Sequence, residues 1–313
     1  MNILVTGACG FIGSNLCQSL LADGHSITGV DAFTDNYSVK IKQLNQKKLE
    51  SFKNFTLLYE NLLSTNLERV LDKTEVVFHL AGQPSVQNSW GTSLNLYLDR
   101  NILLTQKLLD TAVKLKIKKF IYASSSSVYG QAMPGLTNEK DEKNPISPYG
   151  VTKLAAENLV TLFGSEFGLN TISLRYFTVY GPRQRPDMAF HRIIQSINED
   201  EIFYMHGDGS QTRDFTFIED VVTANKLAAH TEVAPGSVFN IGGGSPITMI
   251  KSISIIESLM QKELKVEHIP SIHGNPFITR SDCTKANIEL NWKPKVSIVD
   301  GLKAQIDWQT KTI

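Results

Sequence analysis

The first thirteen residues constrain the fold more than any later stretch. Asn2-Ile3-Leu4-Val5-Thr6 is a short apolar run of strand length, and it ends in the glycine series Gly7-Ala8-Cys9-Gly10-Phe11-Ile12-Gly13. The pattern predicts an amphipathic helix from there to about Asp23. A buried strand, a glycine turn and a helix, in that order, form the context that a phosphate-cradling loop requires. Glycines let backbone approach a pyrophosphate closely, and the free N–H groups and positive dipole end of the helix favour an anion. A turn used only for packing is the plainer alternative. The position of the motif, directly behind an opening strand, favours the loop.

A second strand, Ser26–Val30, ends at Asp31. An acid roughly 20 residues past such a loop binds the adenosine ribose hydroxyls and repels an extra ribose phosphate, which favours NAD over NADP. Phe55–Tyr59 and Glu75–Leu80 read as the next strands. Asn61 and Leu62 fall where a strand end approaches the adenine, and Leu80 and Ala81 fall where a cofactor passes the fourth strand. A long helix is predicted from near Leu94 to Lys116, its apolar face suited to packing or to a dimer contact. The fifth strand, Phe120–Ala123, runs into Ser124-Ser125-Ser126-Ser127. Doubly wound sheets bind ligands at such C-terminal strand ends. Thr171–Tyr176 is a sixth strand, and short strands and helices alternate to a last helix from about Val299. The fold class is α/β, a doubly wound parallel sheet of Rossmann type with a smaller interleaved C-terminal substrate lobe. Residues 1–175 form the cofactor domain, with part of 213–240 returning to it, and 176–313 are mainly the second lobe.

The chemistry-bearing stretch is Ser147-Pro148-Tyr149-Gly150-Val151-Thr152-Lys153. Pro148 suits a first helical turn, and residues four apart share a helix face. Lys153 can therefore bring its ammonium near the ring of Tyr149. A cation close by lowers a phenol pKa from about 10, and a phenol tuned towards neutrality can take and return the proton of a sugar hydroxyl. Of nine tyrosines, Tyr149 alone has a lysine four positions on. An exposed helical pair is the bland alternative, and the other motifs tip the balance.

Bulk numbers exclude some classes. Lys plus Arg and Asp plus Glu both count 31, which speaks against nucleic-acid or membrane-surface binding driven by net charge. No apolar stretch approaches a membrane span, and the N-terminus lacks a basic region ahead of an apolar run. Cys9, Cys17 and Cys283 are too sparse for a disulfide framework, so a reducing cytoplasm is expected. The seven histidines are scattered, and no metal is expected. Arg183, Arg185 and Arg192 fall within ten residues. Their spacing fits an anion site and a solvated basic face equally.

Taken together, Gly7-x-x-Gly10-x-x-Gly13, Asp31, the serine run and Tyr149-x-x-x-Lys153 resemble an extended short-chain dehydrogenase/reductase, and more narrowly the NAD-dependent nucleotide-sugar epimerase/dehydratase family. The resemblance covers nearly the whole chain. It implies NAD in the first domain, a UDP-sugar in the second, and a homodimer held by a helix bundle. It places the family's catalytic hydroxyl on Ser125 and gives Lys153 the nicotinamide ribose. Dehydratases of this family carry an Asp-Glu pair where Ser126 and Ser127 stand, and UDP-glucuronate decarboxylases carry a glutamate at the second position. The serines thus point to oxidation and reduction at one carbon.

The stretches Tyr176–Ala189, Asp31–Tyr37 and Ala123–Gly130 look like those of UDP-glucuronate 4-epimerases. That resemblance implies a uronate carboxylate held by Arg185, Thr178, Ser126 and Ser127, with Arg213 on the pyrophosphate and Arg192 near the nucleotide or carboxylate. Asn61 departs from the family's usual aspartate. Ser271-Ile272-His273-Gly274-Asn275 replaces a stretch that usually carries Gly-Asp and an arginine, so the second pyrophosphate contact is not assigned. Thr279 falls near a position that gates the sugar pocket, and its small size leaves room for an N-acetylated hexose. The rival readings are a 4-epimerase of UDP-glucose or UDP-N-acetylglucosamine and, in another class, a catalytically silent NAD-binding sensor or scaffold. A sensor has no need of Ser125, Tyr149 and Lys153 together.

Overall fold

The computed structural model describes residues 1–131, 135–271 and 273–312. In chain order the elements are β1 Asn2–Thr6, α1 Phe11–Ala22, β2 Ser26–Asp31, α2 Val39–Glu50, β3 Phe55–Tyr59, α3 Leu67–Val70, β4 Val76–His79, α4 Leu94–Tyr97 and α5 Leu104–Lys114. There follow β5 Lys119–Ser125, α6 Pro148–Phe167, β6 Thr171–Tyr176, β7 Thr178–Tyr180, α7 Ala189–Glu199, β8 Ile202–His206, β9 Thr212–Arg213 and β10 Phe215–Phe217. The chain closes with α8 Ile218–His230, β11 Ser237–Ile241, β12 Ile247–Thr248, α9 Met249–Met260, β13 Lys265–Ile269, α10 Thr284–Leu290 and α11 Ile298–Thr312.

Seven strands form one parallel sheet in the order β11-β6-β5-β4-β1-β2-β3. The short apolar runs form its centre because both faces are covered. Ile3 and Val5 of β1 join one core and Leu4 the other; Val76 and Phe78 of β4 part from Val77 in the same way. This is the period-two alternation of a strand buried on both sides. The chain moves outward from β1 through β2 to β3, then returns to add β4, β5 and β6 on the opposite side. The reversal leaves a crevice beyond the carboxyl ends of β1 and β4, where ligands bind in open α/β sheets.

After β6 the chain leaves the sheet for short strand pairs: β7 with β10, β9 with β12, and β8 with β13. It comes back once, when α8 packs on α1 and β11 pairs with β6. One expected element differs. The predicted helix from near Leu94 to Lys116 is interrupted by a π-helical segment, Leu98–Leu103, between α4 and α5. A single π turn inserts a residue and rotates the next helical turns about the axis, often beside a functional site. Here the segment carries the buried Asn101, whose Oδ1 accepts from Gln83 N at 2.7 Å and whose Nδ2 donates to Thr152 Oγ1 at 3.0 Å. The irregularity ties the chain after β4 to α6. Asp214 stands between β9 and β10, which pair with different partners.

Candidate active site

The glycine loop leaves no space for side chains. Gly7 has φ +70°, and a Cβ on it would lie 3.1 Å from Ala81 N; a Cβ on Gly13 would lie 2.1 Å from the Gly7 carbonyl oxygen. The loop is drawn onto the start of α1, whose first N–H groups face the crevice, and this is the cradle a dinucleotide pyrophosphate fits. Asp31 closes β2 with both oxygens engaged: Oδ2 accepts from Cys9 N at 3.1 Å and Oδ1 from Phe33 N at 2.8 Å. Buried His79 spans Thr6 Oγ1 and Thr105 Oγ1 at 2.8 and 3.0 Å. Burial, with a smaller push from Lys153, holds its pKa down at about 3, so it acts as a neutral strut.

Around this crevice the structure brings together Gly7, Gly10, Phe11, Ile12 and Gly13 with Asp31, Asn61, Leu62, Leu80 and Ala81. Arg185 reaches the same cleft. Sequence reasoning missed Lys42 and Tyr37 in its wall. Lys42 is buried; its Nζ donates to Thr34 O at 2.8 Å, lies 3.9 Å from Asp31 Oδ1, and stands 4.9 Å from the Tyr37 ring centroid. The available signal was a lysine at the i position of the buried stripe Lys42, Asn45, Leu49 on α2.

At the other end, α6 begins on a built cap. Ser147 Oγ accepts from Gly150 N at 3.1 Å, and Pro148 occupies the first turn. Gly150 lets α6 sit against the serine turn, since a Cβ there would lie 2.5 Å from Ser127 O. Ala123 lines the cleft, and Ser125, two residues on, shares its face of β5. Ser125 Oγ accepts from Ser127 N and donates to Ser127 Oγ, both at 3.1 Å. Ser126 and Ser127 open a single 3-10 turn.

Tyr149 departs from expectation. Burial raises its pKa, while the Ser125 hydroxyl and then the Arg185 charge lower it. Lys153 is not among the groups that lower it. It is buried, its Nζ lies 4.3 Å from the Tyr122 ring centroid, and burial pulls its pKa down to about 7 against the raising effect of Glu157. Behind both residues is a buried network. Arg175 donates from Nε and Nη2 to Glu157 at 2.9 and 2.6 Å; Ser124 Oγ donates to Glu157 at 2.6 Å; and Arg175 Nη1 donates to Tyr129 at 2.5 Å. Tyr129 in turn donates to Asn240 Oδ1 at 2.7 Å.

The residues expected on the sugar side are more dispersed. Thr178 opens β7 opposite Phe215, two residues beyond Arg213. Arg213 Nη1 donates to two carbonyls, Thr212 at 2.9 Å and Phe277 at 3.2 Å, and burial takes its pKa down to about 10. Arg185 donates from Nε and Nη2 to the two Asp187 oxygens, both at 2.9 Å. Arg192 is not among the residues lining the cleft; its guanidinium lies 5.2 Å from the Phe203 ring centroid. Thr279 is buried, and its hydroxyl accepts from Asp214 N at 3.1 Å. In the Ser271–Asn275 stretch, Ile272 lies outside the described residues. A Cβ on Gly274 would stand 3.2 Å from both Ser147 and Val86, so this stretch abuts the cap of α6.

Comparison with known proteins agrees with this geometry. The NAD dependent epimerase/dehydratase family model matches residues 3–242. An uncharacterized UDP-glucose epimerase of Bacillus subtilis (strain 168), YtcB, is 41% identical over 98% of this chain and 97% of its own. A UDP-glucuronate 4-epimerase of Thermodesulfobacterium geofontis is 36% identical over 99% and 96%. The crystal structure of a UDP-glucuronic acid 4-epimerase from Bacillus cereus, in complex with UDP-glucuronic acid and NAD, superimposes with a TM-score of 0.97 at 42% identity, covering 100% of both chains. With a parallel seven-stranded sheet, a glycine cradle at its switch point and a family model spanning most of its length, the chain belongs to the NAD dependent epimerase/dehydratase family.

Proposed function

We propose that this protein is an NAD-dependent 4-epimerase of a UDP-sugar, interconverting UDP-glucuronate and UDP-galacturonate. The observation that carries the reading is the setting of Tyr149: the side chains that lower its pKa are Ser125 and Arg185, a hydroxyl and a cation. Ser126 and Ser127, which open the turn after Ser125, carry no acid for eliminating water or releasing the carboxyl group, and proton exchange at one hydroxyl remains.

Bound NAD supplies a reversible hydride acceptor for C4, so that the sugar passes through a 4-keto form without net redox change. The glycine loop and Asp31 hold the dinucleotide, with Asn61 and Leu62 at the adenine and Leu80 and Ala81 along its path. Tyr149 takes the C4 hydroxyl proton, steadied by Ser125, and gives a proton back to the C4 oxygen when the keto carbon is reduced from its opposite face. Lys153 holds the nicotinamide ribose. Arg213 anchors the pyrophosphate while the sugar turns, with Arg192 as a second cation. Arg185, Thr178, Ser126 and Ser127 grip the uronate carboxylate. That grip has a second use. Oxidation at C4 makes a β-keto acid, which loses carbon dioxide once the carboxylate bond aligns with the carbonyl π system in an apolar site. Polar groups that fix its rotation and stabilise its charge oppose both conditions.

We assign the chain to two lobes, 1–175 with part of 213–240, and 176–313. We also assign it to a homodimer, supported by exposed Leu96, Leu103, Val151 and Leu162 on and around α4, α5 and α6. A cytoplasmic location fits three free cysteines and the lack, among the described residues, of any helix long and apolar enough to cross a membrane. UDP-glucose is the second substrate reading, because the Bacillus subtilis relative carries that sugar in its name.

The test is a product assay: purified protein with UDP-glucuronate and no added NAD, followed by proton NMR. UDP-galacturonate is the expected product. A UDP-pentose would overturn the serine reading, and turnover of UDP-glucose alone would transfer the assignment to the hexose.

A further inference from the structure

Arg183 has no part in the cleft described above. It is 5% exposed, and its side chain is held between α1, α2 and α11. Nη2 donates to Gln18 Oε1, whereas Nη1 is buried with no hydrogen-bond partner among the described residues. The other buried arginine is compensated: Arg175 pairs with Glu157. Arg183 forms no ion pair among the described residues, and burial lowers its pKa to about 10. A buried charge of this kind is costly unless a counter-ion meets it.

Beside it is a cavity of ≈ 210 Å³, lined by Arg183, Lys48 and Asn45, with Ile41, Leu44 and Trp308 as its apolar wall. Lys48 is the second cation. Its pKa is lowered by burial and by Arg183, so the two positive charges repel each other across the space. Two cations match the charge of a phosphate group, which carries about −1.5 to −2 near neutral pH. The wall also communicates with the cofactor loop. Asn45 Nδ2 donates to Cys9 O at 3.0 Å, and Cys9 N donates to Asp31 Oδ2 at 3.1 Å.

We propose that this cavity is a second anion site, separate from the cofactor cleft, which takes a small phosphate-bearing molecule. The phosphate sits on Arg183 and Lys48, and any apolar body lies against Ile41, Leu44 and Trp308. Occupancy braces α2 behind the glycine loop.

The experiment uses protein saturated with NAD and UDP, so that the phosphate positions of the main cleft are filled. Thermal unfolding is followed while inorganic phosphate or phenyl phosphate is titrated at constant ionic strength. The expected result is a saturable rise in Tm, since a ligand that binds only the folded state stabilises it by mass action. The Lys48→Gln change, at an exposed helical position that leaves the fold intact, shifts the midpoint at least fivefold to higher concentration without changing basal turnover. Arg183→Gln removes the effect. A lower midpoint for phenyl phosphate assigns a phosphomonoester; equal midpoints assign free phosphate. No saturable rise, an unchanged midpoint in Lys48→Gln, or an equal rise with sodium chloride overturns the proposal.

Discussion

The cofactor half of the cleft is built from short contiguous segments, each closing a strand of one sheet. Gly7–Gly13 follows β1, Asp31 ends β2, Asn61 and Leu62 follow β3, and Leu80 and Ala81 follow β4. The proposed substrate half gathers single side chains from the end of β5 in the central sheet, from β7 and β9 in two separate small sheets, and from the loop before α7. Backbone contacts a few ångströms apart define the first half. The second is held by side-chain pairs such as Arg185 with Asp187. A cofactor that stays bound and a sugar that must turn over between two half-reactions call for this division.

The sharpest cut along that line is Tyr149→Phe. It removes one oxygen and leaves the glycine cradle untouched. Turnover should fall by about 10²–10⁴-fold, the range for loss of a positioned acid–base group, while NAD affinity measured by fluorescence titration stays within a factor of about three. Loss of NAD binding with turnover would mean that the two halves are not separable.

The strut between the halves comes next. Glu157 and Arg175 are each 3% exposed at the side chain, and Ser124 ties them to β5. Glu157→Gln leaves a buried guanidinium without its counter-charge, which costs about 3–5 kcal/mol, read as a lower denaturant midpoint. The same change withdraws the group that supports the Lys153 charge. An unaltered midpoint would show that Tyr129 and carbonyl groups suffice to hold Arg175.

The contrast also explains what could be read from the chain alone. The order of strands through β6, the glycine loop, Asp31 and the position of α6 were legible because each depends on neighbours within one strand–helix unit. Lys42 was not, because a buried lysine is visible only once α2 is seen to close over Asp31. The electrostatics of Tyr149 were misjudged for a related reason. Helical spacing put Lys153 one turn away, but Lys153 is buried against Tyr122, and the groups that lower the Tyr149 pKa are Ser125 and then Arg185, from a distant loop. The π segment has no sequence period of its own to set it apart from the helices on either side. Arg183 and Arg185 are two positions apart, and spacing could not tell that they face different cavities.

A smaller effect is expected wholly within the cofactor half. Gly13→Ala puts a methyl group 2.1 Å from the Gly7 carbonyl oxygen, so the loop must move off α1. Overpacking of this kind costs about 1–3 kcal/mol, and it should appear as NAD affinity weakened by about 5–100-fold. UDP affinity, which the proposed mechanism gives to Arg213 in the other half, should hold. Equal losses for both ligands would mean that the loop change spreads through the fold, and the comparison would fail.

The smallest effect tests the residue that belongs to both halves. Arg185 lines the cofactor cleft and also lowers the Tyr149 pKa, after the larger opposing effect of burial and that of Ser125. In the proposed mechanism the free-enzyme base is the phenolate, so kcat/KM should rise with pH as Tyr149 loses its proton. Removing a group that lowers this pKa moves the rise to higher pH. Arg185→Gln should therefore shift the ascending limb of the kcat/KM profile upward by up to about one unit, equivalent to about 1.4 kcal/mol. Ser125→Ala should shift it in the same direction, and Lys153→Met, by this geometry, should lower turnover with little displacement of the limb. With UDP-glucuronate, Arg185→Gln should also release a measurable UDP-pentose fraction, because the carboxylate is freed to align for decarboxylation. A limb that moves with Lys153 and not with Arg185 would return the phenol's counter-charge to the helix, and the bridge between the two halves would be lost.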